Sequence, residues 1–165
     1  MVKPPLPFRL TPAGEHHMED VFHLSNDPVV RAVSIHRDRI SWETHRQWFT
    51  KKLNDPNCAF YIIETMDGNF MGQIRFDLSD GDAVVNISIA EQFRSKGVAR
   101  PALLKSIQLI FMDRSAIEKI IAFIRTDNLN SKNLFEKCGF SFEKHIDIEN
   151  SQYFKYVLTR DMNDL

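Results

Sequence analysis

Three apolar runs in the middle of the chain, AFYIIE (59–64), FMGQIRFDL (70–78) and AVVNISIA (83–90), are separated only by MDGN and SDGD. Asp-Gly between β-rich runs signals a hairpin, so this stretch predicts an antiparallel meander of three strands. Elsewhere the period changes. Met18, Val21, Phe22 and Leu24 recur at helical spacing, in a helical region expected from Thr11-Pro12 through Ser25 and stopped by Asn26-Asp27-Pro28. A polar loop carrying His36, Arg37 and Asp38 is expected next. Ser41 is placed to cap a helix over Trp42–Leu53, with Trp42, His45, Phe49 and Leu53 near one face. Phe8–Leu10 predicts a short first strand, Arg100–Met112 a crossover helix, and KIIAFI (119–124) a buried strand parallel to its predecessor. SKNLFEKC (131–138) predicts a short helix closed by Gly139, followed by two strands, FSFEKHIDI and YFKYVLT. The order β-α-α-β-β-β-α-β-α-β-β describes one α/β (α+β) domain over residues 1–165. Its sheet is expected to be mixed and mostly antiparallel, about seven strands flanked by four helices.

Composition narrows the function. At 165 residues and a net charge of -1, the chain lacks the basic excess of a nucleic-acid binder. Cys58 and Cys138 make no disulfide framework and no zinc spacing, and read as free thiols in a reducing compartment. His16 and His17 are adjacent on the expected helix, so they are expected to point apart; no metal is expected. MVKPPLPFRL has no signal-peptide core and no apolar run spans a bilayer, so the expected location is the cytoplasm, without a membrane partner.

The chemistry concentrates in EQFRSKGVARPALL (91–104), between an apolar strand and a helix. A helix start exposes unpaired N–H groups and the positive end of its dipole, and so attracts anions. Gly97 permits close backbone approach or positive φ. Arg94, Lys96 and Arg100 add charge, and Pro101 suits a first helical turn. There is no GxxxxGK[ST] and no GxGxxG, which leaves a solvated basic turn or a different phosphate-binding loop.

Arg94-Ser95-Lys96-Gly97-Val98-Ala99 resembles the R/Q-x-x-G-x-G/A pyrophosphate loop of the Gcn5-related N-acetyltransferases. Asn128-Leu129-Asn130-Ser131, followed by Phe135-Glu136-Lys137-Cys138-Gly139-Phe140, is similar to that family's second signature, and the element order is also the family's. The resemblance implies acetyl-CoA (CoA) as cofactor and an N-acetyltransferase acting on a primary amine by direct attack in a ternary complex. It implies cofactor contacts at Ile87, Ser88 and Ile89 on the strand, at Arg94, Ser95, Lys96, Gly97, Val98, Ala99 and Arg100 in the loop, and at Asn128, Ser131, Lys132 and Phe135. Ser131 reads equally as a plain N-cap, and Phe135 as core packing. Phe135 also departs from the family, which places a proton-donating Tyr there.

Direct transfer needs a neutral amine, a polarised carbonyl and a proton for the leaving thiolate. The candidate catalytic residues are Asn128, Ser88, Asp77 and His36, the last because imidazole suits base chemistry near neutrality. Gln73, Arg75 and Asp77 share a strand face by alternation. Arg75, Gln73 and Glu43 are the candidate acceptor contacts, with an Arg75–Asp77 ion pair as the structural alternative. ISWETHRQWFTKKL, FYIIE and GQIRFDL together resemble bacterial acetyltransferases of UDP-linked deoxyamino sugars, which makes a nucleotide sugar the first candidate acceptor. A protein N-terminus, a polyamine-like amine, or a weakly catalytic CoA-binding role are the alternatives. The expected assembly is a monomer or homodimer.

Overall fold

A computed structural model describes residues 1 and 3–163 of the chain. Among these residues seven strands form one sheet in the order β1-β2-β3-β4-β5-β7-β6. They are β1 (Arg9–Pro12), β2 (Cys58–Glu64), β3 (Phe70–Ser79), β4 (Asp82–Ile89), β5 (Lys119–Arg125), β6 (Ser141–Ile148) and β7 (Ser151–Thr159). The meander β2-β3-β4 is antiparallel as expected, and β4–β5 is the parallel pair.

Among the described residues five α-helices flank the sheet, α1 (Met18–Ser25), α2 (Pro28–Val33), α3 (Trp42–Leu53), α4 (Ala99–Asp113) and α5 (Leu129–Lys137). One sheet face carries Ile74, Phe76, Val85, Ile120, Ala122 and Leu158, all buried, under α4 and α5. α4 buries Ala102, Leu103, Ser106, Ile107, Ile110 and Phe111, a three-to-four spacing that lays one stripe on the sheet. The opposite face carries Phe60 and Ile62 beneath Val21 of α1 and Phe49 of α3. Each large apolar side chain so buried contributes about 1.5–3 kcal/mol.

Three local expectations change. Thr11-Pro12 ends β1 rather than starting a helix; an edge strand tolerates the missing Pro N–H, and α1 begins only at Met18. The expected polar loop after Ser25 contains α2, whose start is fixed locally. The Asp27 side chain accepts from Val29 N at 2.9 Å and Val30 N at 3.3 Å, with Pro28 in the first turn. Six residues are too short for a periodic signal. His16 and His17 do not point apart, because a short 3-10 turn brings their ring centroids to 3.8 Å. Among the described residues no cluster of His, Cys, Asp or Glu could hold a metal ion, and no helix is long and apolar enough to cross a membrane.

The feature that positions the site is the β4–β5 junction. The two strands pair only at Asp82–Lys119, Ala83–Ile120 and Val84–Ile121. Beyond that point β4 stays paired with β3 as far as Ile89, and β5 stays paired with β7 as far as Arg125. The sheet therefore splits into a wedge at its centre.

Candidate active site

The wedge opens into a cleft of about 1830 Å³ that passes from the α4–α5 side of the sheet to the α2–α3 side. Its β4 wall offers backbone hydrogen-bonding groups. Ala90 N donates to Met71 O at 2.8 Å, which sets the phase of the antiparallel ladder. By alternation Ser88 pairs with Gln73, while Ile87 and Ile89 turn their N–H and C=O groups into the gap. Of the three strand residues expected to meet the cofactor, Ser88 thus presents its side chain to the other face, 3.5 Å from Gln73 Nε2. Gly72 makes this packing feasible, since a Cβ there would lie 2.3 Å from Ser88 O.

The mouth of the wedge is closed by the loop before α4. Ser95 and Gly97 both have left-handed φ, 59° and 75°, so the chain coils tightly around Lys96. Such a conformation costs a non-glycine residue about 1–2 kcal/mol, which Ser95 bears and Gly97 avoids. No side chain caps α4, and its first intrahelical bond from this end is Ala102 N to Val98 O. The Val98, Ala99 and Arg100 N–H groups therefore have no partner within the helix. Ser95, Gly97, Val98, Ala99 and Arg100 line the cleft; the Lys96 side chain lies near the Phe93 ring, outside the lining.

Arg94 has a role the sequence did not reveal. Its Nε donates to Ile89 O at 2.9 Å, and its Nη2 sits 3.0 Å from Asp27 Oδ1, an ionic contact without hydrogen-bond alignment. Asp27 is also the cap of α2. One guanidinium thus ties the loop to the end of β4 and to the helix on the opposite side of the cleft.

On the β5 side, Asn128 caps α5, accepting from Ser131 N at 3.2 Å and donating to Ser131 Oγ at 3.0 Å. Ser131 is therefore not the cap. Asn128, Ser131 and Phe135 line the cleft, whereas Lys132 pairs loosely with Glu136 at 3.7 Å and does not. Phe135 is buried edge-on against Phe140.

The α2–α3 side holds the polar set. Gln73 is buried, its Nε2 donates to Asn86 Oδ1 at 2.7 Å, and its Oε1 has no partner. Arg75 lies over the Trp48 ring at 5.0 Å, and its Nε donates to Asp77 Oδ2 at 3.1 Å. Lys52 donates to the other Asp77 oxygen at 2.6 Å. Burial alone would raise the Asp77 carboxyl, but Arg75 and Lys52 outweigh it and hold the group below its usual range. The ion-pair alternative for Arg75 and Asp77 is therefore present. His36 Nδ1 sits 3.3 Å from Glu149 Oε2, bridging the α2–α3 loop to the β6–β7 turn at the rim. Glu43 is exposed on α3, bonded to Arg46 and Gln47, and does not line the cleft.

Sequence reasoning overlooked Tyr153. It is the third residue of β7, opposite Arg125, whose guanidinium lies 5.9 Å from its ring; it lines the cleft, is 2% exposed, and its hydroxyl makes no hydrogen bond among the described residues. The alternation of YFKYVLT would have placed it on the Arg125 face once the β5–β7 register was known. Neither cysteine lines the cleft, and burial pushes both thiols up to about 11.

Extended backbone groups along a split strand suit an amide-bearing arm, and a coil of free N–H groups at a helix start suits a pyrophosphate. The residues present thus fit a coenzyme A ester. Residues 8–141 match the family of acetyltransferase (GNAT) domains. The chain is 27% identical over 162 residues to a putative phosphinothricin acetyltransferase of Bacillus subtilis, with 91% of this chain and 97% of that protein covered. It is 22% identical over 129 residues to spermidine N(1)-acetyltransferase of Vibrio cholerae, covering 76% and 74%. The crystal structure of the Vibrio cholerae spermidine N-acetyltransferase in complex with CoA and spermine superposes with a TM-score of 0.84 at 17% identity, over 94% of this chain and 97% of that one. Identity this low speaks for a shared fold.

Proposed function

The chain belongs to the GNAT acetyltransferases and is an acetyl-CoA-dependent N-acetyltransferase, and we propose that its acceptor is the primary amine of a small molecule, acetylated by direct attack. The observation that carries this reading is the two-sided cleft: cofactor-type backbone groups lie on one side of the split sheet and a pocket of polar side chains on the other. Relatives named for spermidine and phosphinothricin support a small amine over the UDP-amino sugar expected from the sequence; no protein reported above is named for a nucleotide sugar.

Acetyl-CoA supplies the acetyl group activated as a thioester. Ile87 and Ile89 would align the cofactor arm through their backbone, and the amides from Val98 to Arg100 would hold its phosphates. The Ile89 N–H faces the gap, where it can donate to a carbonyl oxygen gaining charge. Gln73 Oε1, buried and without a donor among the described residues, is the proposed acceptor of the incoming amine's N–H. His36, held by Glu149, is the proposed route for the amine's proton. Asp77 is less suited, because a carboxylate stabilised by two cations is a weak base. Phe135 has no proton to give, which leaves the unpartnered Tyr153 hydroxyl as the proposed donor to the leaving sulfur. With both thiols held protonated and outside the cleft, a covalent acetyl-cysteine has no support.

The test is release of free thiol from acetyl-CoA, read with DTNB, against a panel of small amines, UDP-amino sugars and peptides with free N-termini. Turnover of small amines alone is expected. Turnover confined to peptides or UDP-amino sugars would refute the acceptor class.

A further inference from the structure

The acceptor side of the cleft has a charge balance that selects among small amines. Four arginines, Arg31, Arg39, Arg75 and Arg125, line it against two carboxylates, Asp38 and Asp77. Asp77 is already neutralised by Lys52 and Arg75. Arg31 is occupied, donating to Ser25 O at 2.6 Å and to His36 O at 2.8 Å. Arg125 leans on the exposed Asp127. Arg75 is different. Only its Nε is bonded; its two Nη groups have no acceptor among the described residues, although the side chain is 16% exposed. A partly buried guanidinium with two free forward donors is a fork for a carboxylate or phosphate-like group. Two residues away on the same strand face, the buried Gln73 Oε1 lacks a donor. Same-face positions on a strand are on the order of 7 Å apart.

Resting on the small-amine reading above, we infer that the acceptor carries an anionic group a short distance from its amine: Gln73 receives the amine N–H, and Arg75 grips the acid. A polyamine would instead place its second ammonium against Arg75 and Arg39, with the exposed Asp38 as the one cleft-lining carboxylate not ion-paired among the described residues. Opposed like charges cost affinity and build specificity.

The experiment compares acceptors of equal length in the DTNB assay: 4-aminobutyrate and 3-aminopropylphosphonate against 1,4-diaminobutane, with spermidine included. The wild-type chain is expected to favour at least one anionic amine over both polycations by about tenfold or more in kcat/KM, the range for losing a charged hydrogen bond. Arg75→Gln should erase that preference by raising KM for the anionic amine with kcat little changed, and Arg75→Glu should reverse it. The acetyl-CoA-induced rise in melting temperature, unchanged in both variants, shows that fold and cofactor half are intact. Should an Arg75 variant misfold, the exposed Arg39→Gln is expected to narrow the same preference. The carboxylate and phosphonate arms identify the source of the anion. Preference for 1,4-diaminobutane or spermidine, or a preference for acid that survives Arg75→Gln, overturns the inference while leaving the small-amine reading standing. Absence of turnover with every small amine removes the small-amine reading itself.

Discussion

The two sides of the cleft are built by different means. The proposed cofactor side is mostly main chain: the free edge of β4, a coil with φ of 59° at Ser95 and 75° at Gly97, and the start of α4. The acceptor side is mostly side chain, drawn from α2, β3, β4, β5 and β7, with ion pairs such as Lys52–Asp77 spanning distant segments. Main-chain sites depend on local conformation, which a short contiguous motif specifies. Side-chain sites depend on which strands become neighbours and in what register. The first can be shared by proteins of low identity, while the second is free to change acceptor.

The largest expected effect breaks the cofactor side alone. Gly97→Trp forces a side chain into a left-handed conformation whose Cβ would already lie 3.6 Å from Pro5 Cβ. Acetyl-CoA should then no longer raise the melting temperature, and kcat/KM should fall by about 100-fold or more, the scale of misplaced substrates. A surviving thermal shift would show that the loop is not where the cofactor sits.

Tyr153→Phe tests the other side. If its hydroxyl hands a proton to the leaving sulfur, kcat should fall about 100-fold while the acetyl-CoA thermal shift stays as in the wild type. An unchanged kcat would assign the proton to water.

Arg94→Ala sharpens the comparison by removing the side chain that joins the halves. It leaves Ile89 O and Asp27 without their partner, so a loss of about 2 kcal/mol in unfolding free energy is expected. Affinity for acetyl-CoA and for the amine should weaken together. Weakening of one alone, measured by calorimetry, would show that Arg94 does not link them.

The smallest effect is a pH dependence to which His45, on the acceptor side, contributes. Burial lowers the His45 pKa from 6.5, only partly offset by its Met18 backbone hydrogen bond. The unfolded chain therefore binds this proton more readily than the folded one. His45 lets stability fall as pH drops below about 6.5, a loss that continues down to the lower folded value. Melting temperatures across this range should decline, and the His45→Gln variant should decline less steeply.

The same contrast explains what could be read from the chain. The meander was legible because MDGN and SDGD punctuate alternating strands. The conformation of the proposed cofactor loop, a tight turn into a helix start, was legible because its glycine, its cations and the following Pro101 are contiguous. α2 was not, because its six residues start at a proline and depend on one Asp27 cap. Arg94 is expected as a cofactor contact from its place in the motif and lines the cleft, but its ties to Ile89 O and Asp27 could not be seen in the motif. Tyr153 and the free Arg75 fork became visible only with the β5–β7 register and the Lys52–Asp77 pair. Both are consequences of packing between segments far apart in the chain.

In the proposed reaction an amine and acetyl-CoA occupy opposite sides of one cleft together, with no acetylated enzyme between them. Initial rates measured over a grid of both substrate concentrations, with intact-protein mass spectrometry after incubation in acetyl-CoA alone, test this most directly. Intersecting double-reciprocal lines and an unmodified chain are expected. Parallel lines, together with an acetylated chain that passes its group to the amine, would contradict the proposed reaction.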